Sequence, residues 1–189
     1  AFQANYWVAG YSGFLRIFSM SGEVDLIAVR VCQALLVISM AYMSYRITAT
    51  FSQKVGNISF LLILFSPNFW FYSQSVAYEI FLAWLIFSVL YLCSFQQQTA
   101  WVNAFFAGLL FSIALIVQFK AIVLFPVVLW LVWRKNKRWR YWLFVGFVLP
   151  LSLWMIRNTL AIGDPRPWTR NGGINLWIGN NPNATGRYT

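Results

Sequence analysis

The sequence predicts an all-α fold, a polytopic bundle of transmembrane helices with about six spans or part-spans. Three observations predict it: 60% of the residues are hydrophobic, only 10% are charged, and short polar connections separate long apolar runs. Charged residues make up about a quarter of an ordinary soluble domain. With 189 residues, the chain has room for one membrane domain, so we expect residues 1–189 to form a single domain without a separate soluble part.

The first 21 residues predict a short helix that lies in the membrane interface. Residues 14–20, FLRIFSM, form a broad apolar stripe that Arg16 interrupts, a pattern typical of interfacial amphipathic helices. We therefore assign residues 1–21 to an interfacial segment. Ser21 is the predicted N-cap of the first span, at about residues 24–45.

Two further spans are expected, the second from Asn57 to the aromatic residues after Pro67 and the third at about residues 75–95. Glu79 stands near the start of the third span and is the only acid in the apolar body of the chain. An ionisable group in such a position is costly unless it is paired or functional. We interpret Glu79 as a functional residue, with an ordinary interfacial carboxylate as the alternative.

A polar interruption at Gln118–Lys120 divides the next apolar block into two halves. Each half is shorter than the roughly 20 residues that a span requires. The pattern predicts either two short or tilted helices that meet at a polar tip carrying Lys120, or one bent element from which Lys120 extends to the headgroups.

The segment RKNKRWR at residues 134–140 places five basic residues in seven positions between two apolar runs. This is typical of a cytoplasmic loop under the positive-inside rule. The last span then crosses at about residues 141–155, and residues 157–189 form a polar loop at the outer face. Counting spans backward from the basic loop places Glu79, Lys120 and the N-terminal segment outside as well. We expect a multi-pass protein of the plasma (inner) membrane with both ends of this chain on the outer, periplasmic side.

The charge pattern limits the chemistry. The net charge of +10 is distributed between apolar spans and does not form one continuous face, so nucleic acid is not an expected partner. Histidine, the commonest general base and metal ligand, is absent. We therefore expect no metal site within these residues, although dependence on a divalent cation held elsewhere stays open. No cofactor is assigned.

The polar tail is rich in groups that can bind hydroxyls and phosphates. Residues 171–186, NGGINLWIGNNPNATG, combine side-chain amides with glycines that expose backbone N–H groups. An inert outer loop explains the same composition equally well.

Two motifs carry a resemblance to a known family. LPLSLWMIRN at residues 149–158, followed by NGGINLWIGNNPNATG at 171–186, resembles the membrane glycosyltransferases of the GT-C superfamily. The likeness is to the bacterial protein mannosyltransferase-like family, which includes the lipid A aminoarabinose transferases. AGYSGFLRIFSMSG, SPNFWFYSQSVAYEIF and AGLLFSIALIVQFKAIVLFP resemble further segments of that family, so the resemblance covers almost the whole chain.

The resemblance implies an inverting transfer of a sugar from a polyprenyl-phosphate carrier to a glycan, lipid or protein acceptor. In the family a carboxylate in the first outer loop acts as general base. We expect that loop to precede residue 1, so that the chain is an internal part of a longer protein and lacks the catalytic acid. Membrane lipids are further expected partners. The expected substrate-binding residues are Glu79, Lys120, Arg157, Asn158, Arg170, Gly172, Gly173, Asn175, Asn180 and Asn181.

Two other classes of protein are compatible with the same residues. A polytopic transporter or a non-catalytic scaffold for lipid-linked glycans would use the same outer cavity without chemistry. A lipid-linked oligosaccharide ligase or polymerase would show a longer outer loop with its own charged pattern. An acid in a loop just after a preceding first span would favour the transferase.

Overall fold

The computed structural model describes residues 9–20, 22–94, 100–134, 136–167 and 180. In these residues the fold is all-α, as predicted, with one short β-hairpin. The helices are α1 Ala9–Arg16, α2 Leu26–Thr48, α3 Gln53–Leu64, α4 Pro67–Gln74, α5 Glu79–Ser94, α6 Ala100–Val117, α7 Phe125–Trp133 and α8 Trp139–Ile162. A 3-10 helix, Phe119–Leu124, leads into α7. Strands β1 Ser19–Met20 and β2 Glu23–Val24 pair antiparallel between α1 and α2.

Two helices, α2 and α8, are long and apolar enough to cross a membrane. The pair α3 and α4 is bent by 40° and makes a third candidate if it is counted as one broken span. Because Pro67 occupies the first turn of α4 and has no N–H for a continuing helical hydrogen bond, the helix breaks there. The described parts of α5, α6 and α7 are shorter apolar helices. Of the predicted spans or part-spans, about six in number, the described residues thus support two or three as candidate spans.

Helix α2 begins at a different cap from the one we predicted. The Asp25 side chain accepts hydrogen bonds from the backbone N–H groups of Ile27 at 2.9 Å and Ala28 at 3.1 Å. Ser21 lies outside the described residues. The cap falls at Asp25 because the backbone just before it is committed to the hairpin, in which Ser19 pairs with Val24.

Helix α8 continues beyond its predicted end. It stops at Gly163, which adopts a left-handed conformation with φ of 67° and donates its N–H to the Thr159 carbonyl at 3.0 Å. Glycine is the residue that takes this conformation at least cost. Arg157 and Asn158 therefore belong to the last turns of α8, and the polar connection begins after Ile162.

Helices α6 and α8 run parallel. Trp101 lies near the start of α6 and Trp142 near the start of α8, and their ring centroids are 5.0 Å apart. Further along, the rings of Phe111 and Phe147 lie 6.1 Å apart. The C-terminal ends of the two helices consequently lie at the same end of the bundle.

The chain reverses direction at Gln118. The rings of Phe111 and Phe125 stack with centroids 5.8 Å apart, whereas one continuous helix would separate them by about 21 Å. The 3-10 helix and α7 thus fold back after α6. This agrees with the predicted pair of short helices and excludes a single bent element.

Helix α5 runs antiparallel to α6 and parallel to α2. The Gln118 side chain at the end of α6 reaches Tyr78, just before α5 begins. Contacts between α2 and α5 advance together along both helices, from Gln33 with Ala77 to Met43 with Ser88. The starts of α2 and α5 therefore lie beside the ends of α6 and α8.

The two ends of the bundle differ in charge. We call the end that holds the starts of α2 and α5 the acidic end, since all four acids of the chain lie there. The opposite end, with the last turn of α2 and the connection from α7 to α8, is called the basic end. The acids are Glu23, Asp25, Glu79 and Asp164.

Candidate functional site

A buried glutamine joins three elements at the acidic end. Gln33 of α2 is completely buried. Its Nε2 donates to the Tyr11 hydroxyl at 2.9 Å and to the Ala77 carbonyl at 3.1 Å. Because a carbonyl only accepts, the bond to Ala77 fixes which end of the amide is the nitrogen. The Oε1 atom of Gln33 is buried and has no hydrogen-bond partner within the described residues.

Glu79 lies near this glutamine because Ala77, which Gln33 contacts, is only two residues before it. It is the first residue of α5, two positions after Ala77, and a carboxylate in the first helical turn is favoured by the helix dipole. Its Oε2 atom is also buried and lacks a hydrogen-bond partner in the described part of the chain. The pKa of Tyr11 is raised, mainly because the side chain is buried. The hydrogen bond from Gln33 opposes this rise, and the negative charge of Glu79 adds to it.

Tyr11, Gln33 and Glu79 together form what we call the Gln33 cluster. Two of its buried oxygens can accept hydrogen bonds that the described residues do not supply. Leaving a buried polar atom unsatisfied costs about 1 to 3 kcal/mol, so such atoms normally face water or a ligand. The arrangement is suited to a ligand that donates hydrogen bonds, such as one carrying hydroxyl groups.

Sequence analysis did not identify Tyr11 or Gln33. A signal was present, since Gln33 is an uncharged polar residue inside the apolar run of α2. Polar side chains within a span tend to bond to neighbouring helices. Composition alone does not show which helix such a side chain meets.

Lys120 lies at the acidic end, where the chain reverses after α6. It is exposed on the 3-10 helix. Gln118, two residues earlier, donates from Nε2 to the Tyr78 hydroxyl at 3.0 Å. This bond holds the start of the 3-10 helix beside the start of α5. Among the described residues, Lys120 forms no ion pair with Glu79.

Arg157 and Asn158 occupy the last turns of α8. The Arg157 guanidinium lies over the Trp154 ring, 5.0 Å from its centroid. Its Nη1 donates to Asn158 Oδ1 at 3.0 Å. Asn158 is buried, and its Nδ2 donates to the Arg166 carbonyl at 2.9 Å. Both ends of the Asn158 amide are therefore engaged by the protein, and this residue positions the chain after α8.

An ion pair completes this connection. Asp164 is buried, and its carboxylate accepts from Arg166 Nε at 2.9 Å. The hydrogen bond to Asp164, and then its negative charge, raise the pKa of Arg166. The Arg166 backbone N–H also donates to Asp164 Oδ1 at 3.2 Å. We call Asn158, Asp164 and Arg166 the α8 clasp.

The structure thus gathers Glu79, Lys120, Arg157 and Asn158 at one end of the bundle. In the part of the chain that it describes, no ion pair links Glu79 to Arg157. Asn180 is described and exposed. The remaining predicted site residues lie outside the described residues: Arg170, Gly172, Gly173, Asn175 and Asn181.

The described residues contain no group of three or more His, Cys, Asp or Glu side chains that could hold a metal ion. No protein-family model, curated protein or solved structure matches the chain. A functional proposal consequently rests on the resemblance in the sequence and on the geometry of the acidic end.

Proposed function

We propose that this chain is part of a membrane glycosyltransferase of the GT-C type. It transfers a sugar from a polyprenyl-phosphate donor to a glycan, lipid or protein acceptor at the outer face of the membrane. The observation that supports this best is the combination, at one end of the bundle, of the buried Glu79 and Gln33 acceptors with the exposed cations Lys120 and Arg157. The tail motif supplies the resemblance.

The two kinds of side chain suit the two halves of such a donor. Sugar hydroxyls donate hydrogen bonds, which the unsatisfied oxygens of Gln33 and Glu79 can accept. The lipid phosphate gains negative charge as it departs, and Lys120 and Arg157 can stabilise that charge. In the transfer the acceptor oxygen forms a bond to the anomeric carbon of the sugar. The bond between that carbon and the phosphate oxygen of the donor breaks. The electron pair of that bond leaves with the phosphate, and a carboxylate acting as general base takes the acceptor proton.

A membrane arrangement accompanies this proposal. Helices α2 and α8 and the bent pair α3–α4 cross the bilayer. The shorter α5, α6 and α7 with its 3-10 helix complete a bundle of six spans and part-spans in the plasma membrane. The positive-inside rule places the basic end in the cytoplasm. The acidic end, helix α1, the polar tail and both ends of this chain are then on the periplasmic side, where the lipid-linked donor is used.

The acceptors of the Gln33 cluster, which lack hydrogen-bond partners among the described residues, also favour a second candidate, a transporter or scaffold that binds lipid-linked glycans without chemistry. An oxygen that accepts a hydrogen bond from a sugar hydroxyl serves binding and catalysis equally well. Product formation distinguishes the two functions.

The test is an assay of the full-length protein in membranes with a panel of polyprenyl-phosphate sugars. Release of polyprenyl phosphate together with a glycosylated acceptor of inverted anomeric configuration would support the transferase. Saturable donor binding without product would favour the transporter or scaffold. Absence of both binding and transfer across the panel would contradict the proposal.

A further inference from the structure

The basic end carries positive charge without acids to balance it. All four acids of the chain lie at the acidic end, on the other side of the apolar bundle. The described cations at the basic end are Arg46, Lys54, Arg134, Lys137, Arg138 and Arg140. An uncompensated basic surface next to apolar helices attracts anionic lipid headgroups, by about 1 kcal/mol for each Lys or Arg close to the surface.

Aromatic rings hold two of these cations in place. The Arg134 guanidinium lies over the Trp130 ring at 4.7 Å, and that of Arg140 lies over the Trp133 ring at 5.2 Å. Tryptophan and tyrosine concentrate where a membrane meets water. Contact with such a ring is typical of a side chain at the depth of the lipid phosphates, and this is the position that we infer for Arg140.

Most of the donors of Arg140 remain available to a ligand. Its Nη2 donates to the Tyr141 hydroxyl at 3.2 Å. No other hydrogen bond or ion pair of this side chain is formed with the described residues. Guanidinium has five N–H donors in a planar arrangement that fits phosphate, so the free edge can bind a phosphate without breaking a protein contact.

An apolar groove begins at Arg140 and runs between α7 and α8. It is lined by Phe125, Leu129, Arg140, Tyr141, Leu143 and Phe144. Leu143 forms a buried floor, whereas Phe144 is 58% exposed and forms an outer wall. The Phe125 ring approaches that of Phe147 to 5.0 Å and closes the far end. The groove thus joins one cation at its mouth to a wholly hydrocarbon and aromatic interior.

We propose that this groove binds one anionic phospholipid. The phosphate contacts Arg140 at the mouth, and an acyl chain lies along Leu129 and Phe144 between the two helices. The apolar interior selects a lipid over free phosphate, because inorganic phosphate would leave that surface uncovered. Because no acid balances the cations at this end, the site selects an anionic lipid over a zwitterionic one. This site is distinct from the acidic end and does not depend on glycosyl transfer.

Native mass spectrometry of the detergent-purified full-length protein would test the proposal, with phosphatidylglycerol and phosphatidylcholine of matched chains as probes. We expect one phosphatidylglycerol to bind more tightly than phosphatidylcholine. Arg140→Gln should weaken phosphatidylglycerol binding about fivefold or more. Arg140→Lys should lose less, since it keeps the charge but not the planar guanidinium.

Lys54→Gln is the matched control, because Lys54 is an exposed cation at the same end that lies on α3, away from the groove. It should leave the affinity for phosphatidylglycerol unchanged. Dihexanoyl phosphatidylglycerol should bind more weakly than the long-chain lipid, since its chains cannot fill the groove. Equal binding of the two headgroups would overturn the proposal. Equal losses in Arg140→Gln and Lys54→Gln would do the same, since they would indicate diffuse attraction without a site.

Discussion

Gly108 of α6 and Gly146 of α8 bring the backbones of their helices into direct contact. A β-carbon at Gly108 would overlap the Leu143 carbonyl oxygen, and one at Gly146 would overlap the Phe105 carbonyl oxygen. Small residues permit such close approach between helices in membranes. This parallel contact is what places Arg157, at the end of α8, beside the end of α6.

Replacing either glycine with alanine should therefore destabilise the bundle. The added methyl group meets backbone atoms that cannot rotate away, and overpacking of this kind typically costs about 1 to 3 kcal/mol. We expect Gly108→Ala and Gly146→Ala to lower the thermal unfolding temperature of the detergent-purified protein.

Gly13→Ala is the control for this experiment. Gly13 is also helical, in α1, and nothing lies within 4 Å of the position that its β-carbon would take. This variant should be neutral or more stable by up to about 1 kcal/mol, because alanine favours the helix. If Gly108→Ala were as stable as Gly13→Ala, the close backbone contact between α6 and α8 would be contradicted.

The α8 clasp provides a second prediction. Asn158→Ala removes the bond to the Arg166 carbonyl and should free the segment after Gly163. Losing a buried hydrogen bond costs about 1 to 3 kcal/mol. We expect faster amide hydrogen exchange at residues 164–167, which mass spectrometry of the corresponding peptide would detect.

Asn136→Ala serves as the matched control, since Asn136 is exposed at the basic end, where its side chain accepts a hydrogen bond from the Arg138 backbone N–H. Exchange at residues 164–167 should not change in this variant. Unaltered exchange in Asn158→Ala would show that the clasp does not hold the segment.

Much of the helical fold follows from the sequence because apolar runs and polar breaks correspond to helices and their connections. RKNKRWR separates α7 from α8, and Gln118–Lys120 marks the reversal after α6. Two or three of the predicted spans or part-spans are long and apolar enough to cross a membrane, since Pro67 interrupts one apolar run and the described α5, α6 and α7 are shorter. The cap at Asp25 was missed because its position depends on the preceding hairpin, whose pairing is not local to the helix.

The candidate site was less predictable. Glu79 was recognisable as a lone acid in an apolar run. Its relation to Gln33 and Tyr11 depends on how α1, α2 and α5 pack, and no periodicity in the sequence fixes that contact. The role of Asn158 in the clasp was also hidden, since its partner Arg166 follows a turn set by the left-handed Gly163.

The opposite locations of the two ends can be tested by labelling. With Cys32→Ala and Cys93→Ala as background, Lys120→Cys and Lys137→Cys each place one thiol at an exposed position. We expect a membrane-impermeant maleimide to label Lys120→Cys on cells whose periplasm is accessible. Lys137→Cys should react only after the inner membrane is permeabilised, because the proposed topology places the basic end in the cytoplasm.

The cysteine-free background should remain unlabelled under both conditions. Labelling of both positions from the same side would contradict the proposed topology. Labelling of Lys137→Cys alone in unpermeabilised cells would reverse it.

The central proposal is that Glu79 belongs to a donor site, and Glu79→Gln tests it without a change of shape. The variant keeps the size of the side chain but removes the negative charge, so hydrogen bonds from the sugar weaken. Hydrogen bonds to charged groups contribute about 1.5 to 3 kcal/mol, which corresponds to roughly a tenfold to hundredfold change. Glu23→Gln is the matched control, since Glu23 is an exposed acid at the same end.

The most direct measurement is the rate of sugar transfer by the full-length protein in membranes, compared between Glu79→Gln and Glu23→Gln at equal protein level. We predict that Glu79→Gln lowers the rate roughly tenfold to a hundredfold, while Glu23→Gln retains the rate of the unmodified protein. Equal rates for Glu79→Gln and the unmodified protein would contradict a role for Glu79 in the donor site.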